Sequence, residues 1–128
     1  MMDIKISNMS SVPIYQQVAT QIKSSILNGS LKYNDQLPSI RSLAKELEVG
    51  IITVKKSYEV LLQEELIYSK GAVGYFVNDI DLDTVLSIKK EEYLVELKGI
   101  IDRAINDGLN IDDVKAIVDR VLEEKNLW

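Results

Sequence analysis

Between Ser39 and Val77 the hydrophobic spacing of the chain passes from a helical to a strand period, and few folds accommodate that order. Ile40, Leu43, Ala44 and Leu47 recur on one helix face, with Arg41, Lys45, Glu46 and Glu48 facing outward and Ser39 placed to cap the first turn. Val49-Gly50 supplies a turn, and residues 51–64 resume the helical period with Val54, Tyr58, Leu61 and Leu62 inward. Leu66-Ile67-Tyr68-Ser69 and Gly74-Tyr75-Phe76-Val77 then read as a hairpin around Lys70-Gly71-Ala72-Val73, since aromatic and β-branched residues suit a pleated surface. Two short helices meeting at a Gly-containing turn, followed at once by a two-stranded ribbon, have the order of a winged helix-turn-helix.

Upstream, Ile14, Val18, Ile22 and Ile26 fall four apart and predict a helix over 12–28, with Pro13 in its first turn, Gln16, Gln17, Gln21 and Lys23 on its polar side, and Asn28-Gly29 as a left-handed stop. Residues 30–38 read as a connection with a very short strand near Gln36-Leu37. Past Asn78, Asp79, Asp81 and Asp83 favour the start of a long helix over 82–106 that ends at Asp107-Gly108, and Asn110 caps a last helix. The expected fold is mainly α: a winged helix-turn-helix over 1–78, with three helices and a two-stranded wing, and a two-helix segment over 79–128. Two amphipathic helices hide only part of their apolar surface against each other. Leu86, Tyr93, Leu97, Ile101, Ile117 and Val121 are therefore expected to meet a second copy of the chain.

The side-chain inventory excludes much chemistry. The 128 residues include no Cys and no His, which removes disulfides, thiolate metal sites and the commonest acid/base group. No GxxxxGK[ST] or GxGxxG phosphate cradle occurs, so no cofactor is expected and the enzyme reading is weak. No apolar run exceeds three residues, against roughly 18 for a membrane span, and the first residues lack the features of a secretory signal, so the chain is expected in the cytoplasm.

Charge is unevenly spread. Through Asn78 eight Lys and Arg face seven Asp and Glu, a net +1; the remainder has seven against thirteen, a net −6. An acidic whole argues against loose, charge-driven binding to nucleic acid but leaves room for a local basic face. The acidic remainder suits a protein partner better than a phosphate backbone.

The third helix starts with Ile51, Ile52, Thr53, Lys55 and Lys56 at its outward positions, where side chains could meet base edges and phosphates. Lys70 and Gly71 form the wing tip, where a glycine lets the main chain approach a phosphate or a minor groove. The plainer alternatives are that Arg41 and Lys56 are solvated surface charge, that Ile51 and Ile52 pack on the turn, and that Lys70-Gly71 only closes a hairpin. Tyr15, Tyr58, Phe76 and Trp128 read as packing residues, and the pairs Glu64-Glu65 and Glu91-Glu92 as solvated helix charge.

Leu37-Pro38-Ser39-Ile40-Arg41-Ser42-Leu43-Ala44, then Val49, Thr53-Val54-Lys55 and the closing Gly74-Tyr75-Phe76-Val77 resemble the GntR family of bacterial transcription regulators. Pro13-Ile14-Tyr15 and the short two-helix tail resemble its YtrA subfamily. The resemblance implies that Arg41 contacts DNA backbone or a base edge, that Gly50 to Lys55 lie at the major groove, and that Lys70 and Gly71 approach the duplex. The chain departs from the family at Gly50-Ile51, where a small polar residue followed by Arg is usual; Arg grips guanine through two hydrogen bonds, whereas Ile offers apolar contact, for example to a thymine methyl. Lys55 stands where Arg is familiar, keeping the charge without the planar fork. Tyr33-Asn34 replaces a common Pro-Gly, and Ala72 a common Gly.

The expectation is a homodimeric, sequence-specific DNA-binding regulator, a repressor at an inverted repeat with A/T-containing half-sites, with nearby transporter genes as the implied target. About 50 residues in two helices leave little room for an ordinary ligand pocket of roughly 300 Å³, so a small-molecule effector would use a cleft between subunits. The alternative is a winged-helix interaction module that does not bind DNA.

Overall fold

The computed structural model describes residues 3–126. They form five α-helices and one antiparallel ribbon: α1 (Ile14–Leu27), α2 (Ile40–Leu47), α3 (Ile51–Gln63), β1 (Ile67–Ser69), β2 (Tyr75–Val77), α4 (Leu82–Asn106) and α5 (Ile111–Asn126). This is the expected mainly helical architecture, with a two-stranded wing after three helices. Trp128 lies outside the described residues. The chain divides into two compact units between Asp81 and Leu82.

In the first unit α3 packs across both α1 and α2. The helical spacing dictates what is buried: Val18, Ala19, Ile22 and Ile26 from α1, Leu43 and Ala44 from α2, and Val54, Tyr58 and Leu61 from α3. Ser57 is also fully buried, which the apolar stripe did not anticipate. Its hydroxyl donates to the Tyr15 carbonyl at 2.8 Å, with the Thr53 carbonyl a second acceptor at 3.1 Å, so its desolvation is compensated.

The ribbon pairs Ile67 with Val77, Tyr68 with Phe76 and Ser69 with Tyr75. Strand alternation turns Ile67 and Val77 into the core and puts Tyr68 and Phe76 on the other face, where their rings stack at 5.8 Å. The short strand expected near Gln36-Leu37 is a single bridge from Gln36 to Phe76, and the Leu37 amide donates to the Tyr75 carbonyl at 2.9 Å.

Helix ends differ from the sequence reading in instructive ways. Pro13 is the N-cap of α1 rather than part of its first turn. Ser39 caps α2 as expected, its hydroxyl accepting from the Ser42 amide at 3.1 Å. That helix stops one residue early because Glu48 adopts the left-handed conformation, φ 56°, while Gly50 is extended at φ −69° and caps α3. The Val49 amide reaches back to the Ala44 carbonyl at 3.0 Å, which satisfies a helix-end acceptor. Glu65, φ 60°, ends α3 in the same way, and Glu64 pairs with Lys23 at 3.2 Å. The Glu64-Glu65 pair is solvent-exposed charge, as expected, but lies just past the last residue of α3 and ends the helix. A left-handed non-glycine residue costs about 1–2 kcal/mol, part of which is offset by the backbone freedom that glycine adds to the unfolded chain. Glu48→Gly is accordingly expected to raise stability by roughly 0.5–1 kcal/mol. A urea titration would show this as a higher midpoint at unchanged slope; a lower midpoint would contradict it.

Gln17 and Gln21 hold the segment before α1. The Gln21 amide exchanges two hydrogen bonds with the Lys5 main chain at 2.9 and 2.6 Å, and the Gln17 amide two with Ser7 at 2.9 and 3.0 Å. Four helical residues advance about 6.0 Å and two extended residues about 6.6 Å, so the two repeats match. Ile4 and Ile6 thereby pack against the core.

In the second unit Gly108, φ 104°, ends α4. Asn110 and Asp113 cap α5 reciprocally: the Asn110 side chain accepts from the Asp113 amide at 2.8 Å, and the Asp113 carboxylate from the Asn110 amide at 3.0 Å. Neither helix buries a residue. Aliphatic side chains including Leu97, Ile101, Ile117 and Val121 line a groove of about 360 Å³ between them. Among the described residues, no helix is long and apolar enough to cross a membrane.

Candidate nucleic-acid interface

Helix α3 separates its two sides cleanly. With about 100° between successive residues, Val54, Ser57, Tyr58 and Leu61 point into the core, and the opposite side carries Ile52, Lys56 and Glu59, flanked by Ile51 and Lys55. Ile52 is 82% exposed and Ile51 45%, so neither packs away on the preceding turn. Thr53 sits half-buried at the inner flank, its amide bonded to the Gly50 carbonyl at 3.1 Å. Gly50 itself is exposed at the helix start. The start of α3 therefore brings Ile51, Ile52, Lys55 and Lys56 together on one exposed face.

Arg41 is exposed on the first turn of α2, a separate element. Lys70 and Gly71 are exposed at the ribbon tip, where Gly71–Val73 form a single 3₁₀ turn. The tip has a fixed shape: the Gln36 side-chain amide donates to the Val73 carbonyl at 3.0 Å, and the Lys70 amide to the Gly74 carbonyl at 2.9 Å. Gly74 has φ 130°, and a Cβ there would lie only 3.0 Å from Gln36 Nε2, so no other residue fits without a shift.

Two of the exposed lysines rest on aromatic rings. Lys56 Nζ stands 4.1 Å from the centre of the Tyr15 ring, and Lys70 Nζ 4.9 Å from Phe76 and 5.9 Å from Tyr68. Tyr15 and Phe76, expected as packing residues, are half-buried and seat cations in addition. Tyr68 also donates its hydroxyl to the Asn34 side-chain oxygen. Glu59 went unnoticed in the sequence, although its position three and four residues after Lys56 and Lys55 could have placed it on their face.

Tyr58 is fully buried, donates its hydroxyl to the Pro38 carbonyl at 2.6 Å and meets Tyr75 edge-on at 5.1 Å. Burial, and secondarily Tyr75, pushes its phenol pKa far upward, so it stays neutral and acts as a structural hydrogen-bond donor. No buried side-chain polar atom lacks a partner among the described residues. Nor do any of them form a group of three or more acidic, Cys or His residues able to hold a metal ion.

What this face offers is cations and exposed aliphatic groups at a helix start, with a further cation on a wing, which is how helix-turn-helix proteins meet phosphates and base edges. Residues 14–77 match the model of the bacterial regulatory proteins, gntR family. The HTH-type transcriptional repressor YtrA of Bacillus subtilis is 32% identical over 109 residues, which cover 85% of this chain and 84% of that protein. A solved structure of YtrA from Sulfolobus acidocaldarius, a GntR-family transcription factor, superposes with TM-score 0.59 and 39% identity over 72% of this chain and 97% of the other. AraR(DBD), solved in complex with operator ORE1, superposes with TM-score 0.51 and 27% identity over 59% of this chain and 92% of its own. The chain belongs to the gntR family of bacterial regulatory proteins, a transcriptional regulator with a DNA-binding helix-turn-helix and not an enzyme.

Proposed function

We propose that this chain represses transcription as a homodimer whose two winged heads occupy the halves of an inverted-repeat operator, in the cytoplasm where that DNA lies. The observation that carries the reading is the exposed start of α3, where Ile51, Ile52, Lys55 and Lys56 make one outward face on a helix anchored by Val54, Ser57, Tyr58 and Leu61. Operator binding by AraR(DBD) and the repressor role in the name of the Bacillus subtilis relative support it. In this reading Arg41, Lys55, Lys56 and Lys70 contact phosphates, Gly50 and Gly71 allow close main-chain approach, and Ile51, Ile52 and Thr53 read base edges.

The winged head spans residues 1–78, and residues 79–128 join the two copies. Leu86, Tyr93, Leu97, Ile101, Ile117 and Val121 form the dimer contact, which accounts for two helices that bury nothing within one chain. An effector, where one operates, would act by favouring one spacing of the heads over another. Anisotropy titration of labelled duplexes, selected by the full chain from a random pool, tests the reading. Saturable binding that weakens steeply with salt is expected, and its absence would favour an interaction module.

Base preference gives a sharper check. Apolar contact from Ile51 predicts A/T-containing half-sites, and Ile51→Arg should shift selection toward guanine at that position by about 1–3 kcal/mol, or roughly 5- to 150-fold. Wild-type protein that selects G-rich half-sites would show that Ile51 does not set the preference.

A further inference from the structure

We infer that Tyr15 is a positioning residue for DNA binding: its ring holds the Lys56 ammonium ready for a backbone phosphate. The inference rests on the operator-binding reading above and adds a residue outside the helix-turn-helix itself.

Two observations meet at this residue. Lys56 Nζ lies 4.1 Å from the ring centre, and the neighbouring Ser57 hydroxyl donates to the Tyr15 main-chain carbonyl at 2.8 Å. The first turn of α1 is therefore tied to the second turn of α3 by a part-buried hydrogen bond, which fixes the main chain that carries the ring beside the lysine. Ser57 is fully buried while its neighbour Lys56 is exposed, so one position anchors the contact and the next projects from it.

A lysine free in water must give up the freedom of four rotatable bonds when it docks on a phosphate. A lysine already resting on an aromatic face has given up much of it. The ring's electron-rich face attracts the ammonium without supplying a hydrogen-bond acceptor, so its N–H groups stay available for phosphate oxygens. A carboxylate in the place of Tyr15 would instead compete with the phosphate. Among the described residues no salt bridge involves Lys56, which agrees with a cation held by the ring. Among the described residues no aromatic ring seats Lys55, one residue earlier.

The test is a double-mutant cycle on the full chain, read by anisotropy with the labelled duplex that wild-type protein selects, over a range of salt concentrations. Tyr15→Leu should weaken binding about three- to tenfold. Lys56→Gln should weaken it at least as much and lower the salt slope by about 0.9 for each phosphate that is no longer neutralised. In the Lys56→Gln background Tyr15→Leu should do nothing further, and Tyr15→Phe, which keeps the ring, should bind like wild type. Thermal melts of each variant show whether the head remains folded; Ser57 bonds the main chain, so that tie survives replacement of the ring. Additive losses from Tyr15→Leu and Lys56→Gln, or loss of binding by Tyr15→Phe, would overturn the positioning role while leaving the operator reading intact. Wild-type protein that binds no duplex would overturn both.

Discussion

On the proposed function, wild-type protein is expected to sediment as a dimer, and a chain carrying Leu97→Asp together with Val121→Asp as a monomer that binds the operator about 10²- to 10⁴-fold more weakly. Both residues line the groove between α4 and α5, and they are 48% and 47% exposed within one chain. A substitution at a site this open changes the fold of a single chain little, by about 0.5 kcal/mol. In a dimer contact the same carboxylate would be stripped of water without a partner, at a cost of several kcal/mol. The tail makes the effect larger, because the residues after Asn78 already carry −6 and two tails must approach against that charge. Loss of the proposed dimer would leave each head to bind alone, without the raised local concentration that a tethered twin would provide. If the variant remains a dimer, the contact lies elsewhere on the chain; if its monomer keeps full operator affinity, the two-headed reading is wrong.

Tyr58→Ala is expected to destabilise the head by about 3–5 kcal/mol, a large share of the roughly 5–15 kcal/mol that holds a domain folded. Among the described residues no other fully buried side chain of the head is as large, and from α3 it reaches two further parts of the fold at once, the Pro38 carbonyl before α2 and Tyr75 on the wing. Tyr58→Phe removes only the hydroxyl and should cost about 1 kcal/mol, the usual net value of one hydrogen bond. The pair also separates packing from ionisation. The folded chain holds the Tyr58 proton more tightly than the unfolded chain does, so the associated stability is fully present below about pH 10, the ordinary tyrosine value, and declines as pH rises above it. That decline approaches about 1.4 kcal/mol per pH unit and should be missing from Tyr58→Phe. Urea titrations between pH 8 and 11 would measure it; equal slopes in both proteins would assign the alkaline loss to another group.

The winged head was largely legible because the relevant signals are local. Helical spacing of Ile14, Val18, Ile22 and Ile26, the cap at Ser39 and the β-prone runs on either side of Lys70 each act within a few residues. The exposed character of Ile51 and Ile52 followed from the same spacing, since Val54, Tyr58 and Leu61 fix which side of α3 faces inward. The turn at Val49-Gly50 was legible for the same reason, but not that Glu48 takes the left-handed conformation before it, with Val49 reaching back to the Ala44 carbonyl. Gln17 and Gln21 looked like an ordinary polar face because their partners lie on a segment with no strong pattern of its own.

The sequence by itself determined the order of elements, the inward side of each helix and the cations near the start of α3, since periodicity, capping and charge are properties of neighbours along the chain. Only the tertiary structure decided that Lys56 sits on Tyr15, that Lys70 sits on Phe76 and that Gln36 braces the wing tip at Val73. Lys56 and Tyr15, like Gln36 and Val73, lie far apart in sequence and meet because α3 crosses α1 and because Gln36 bridges to Phe76 on the ribbon, whereas the hairpin pairing brings Lys70 to Phe76. Which side chains face one another across such contacts depends on how helix and strand surfaces interlock, and no local pattern records that.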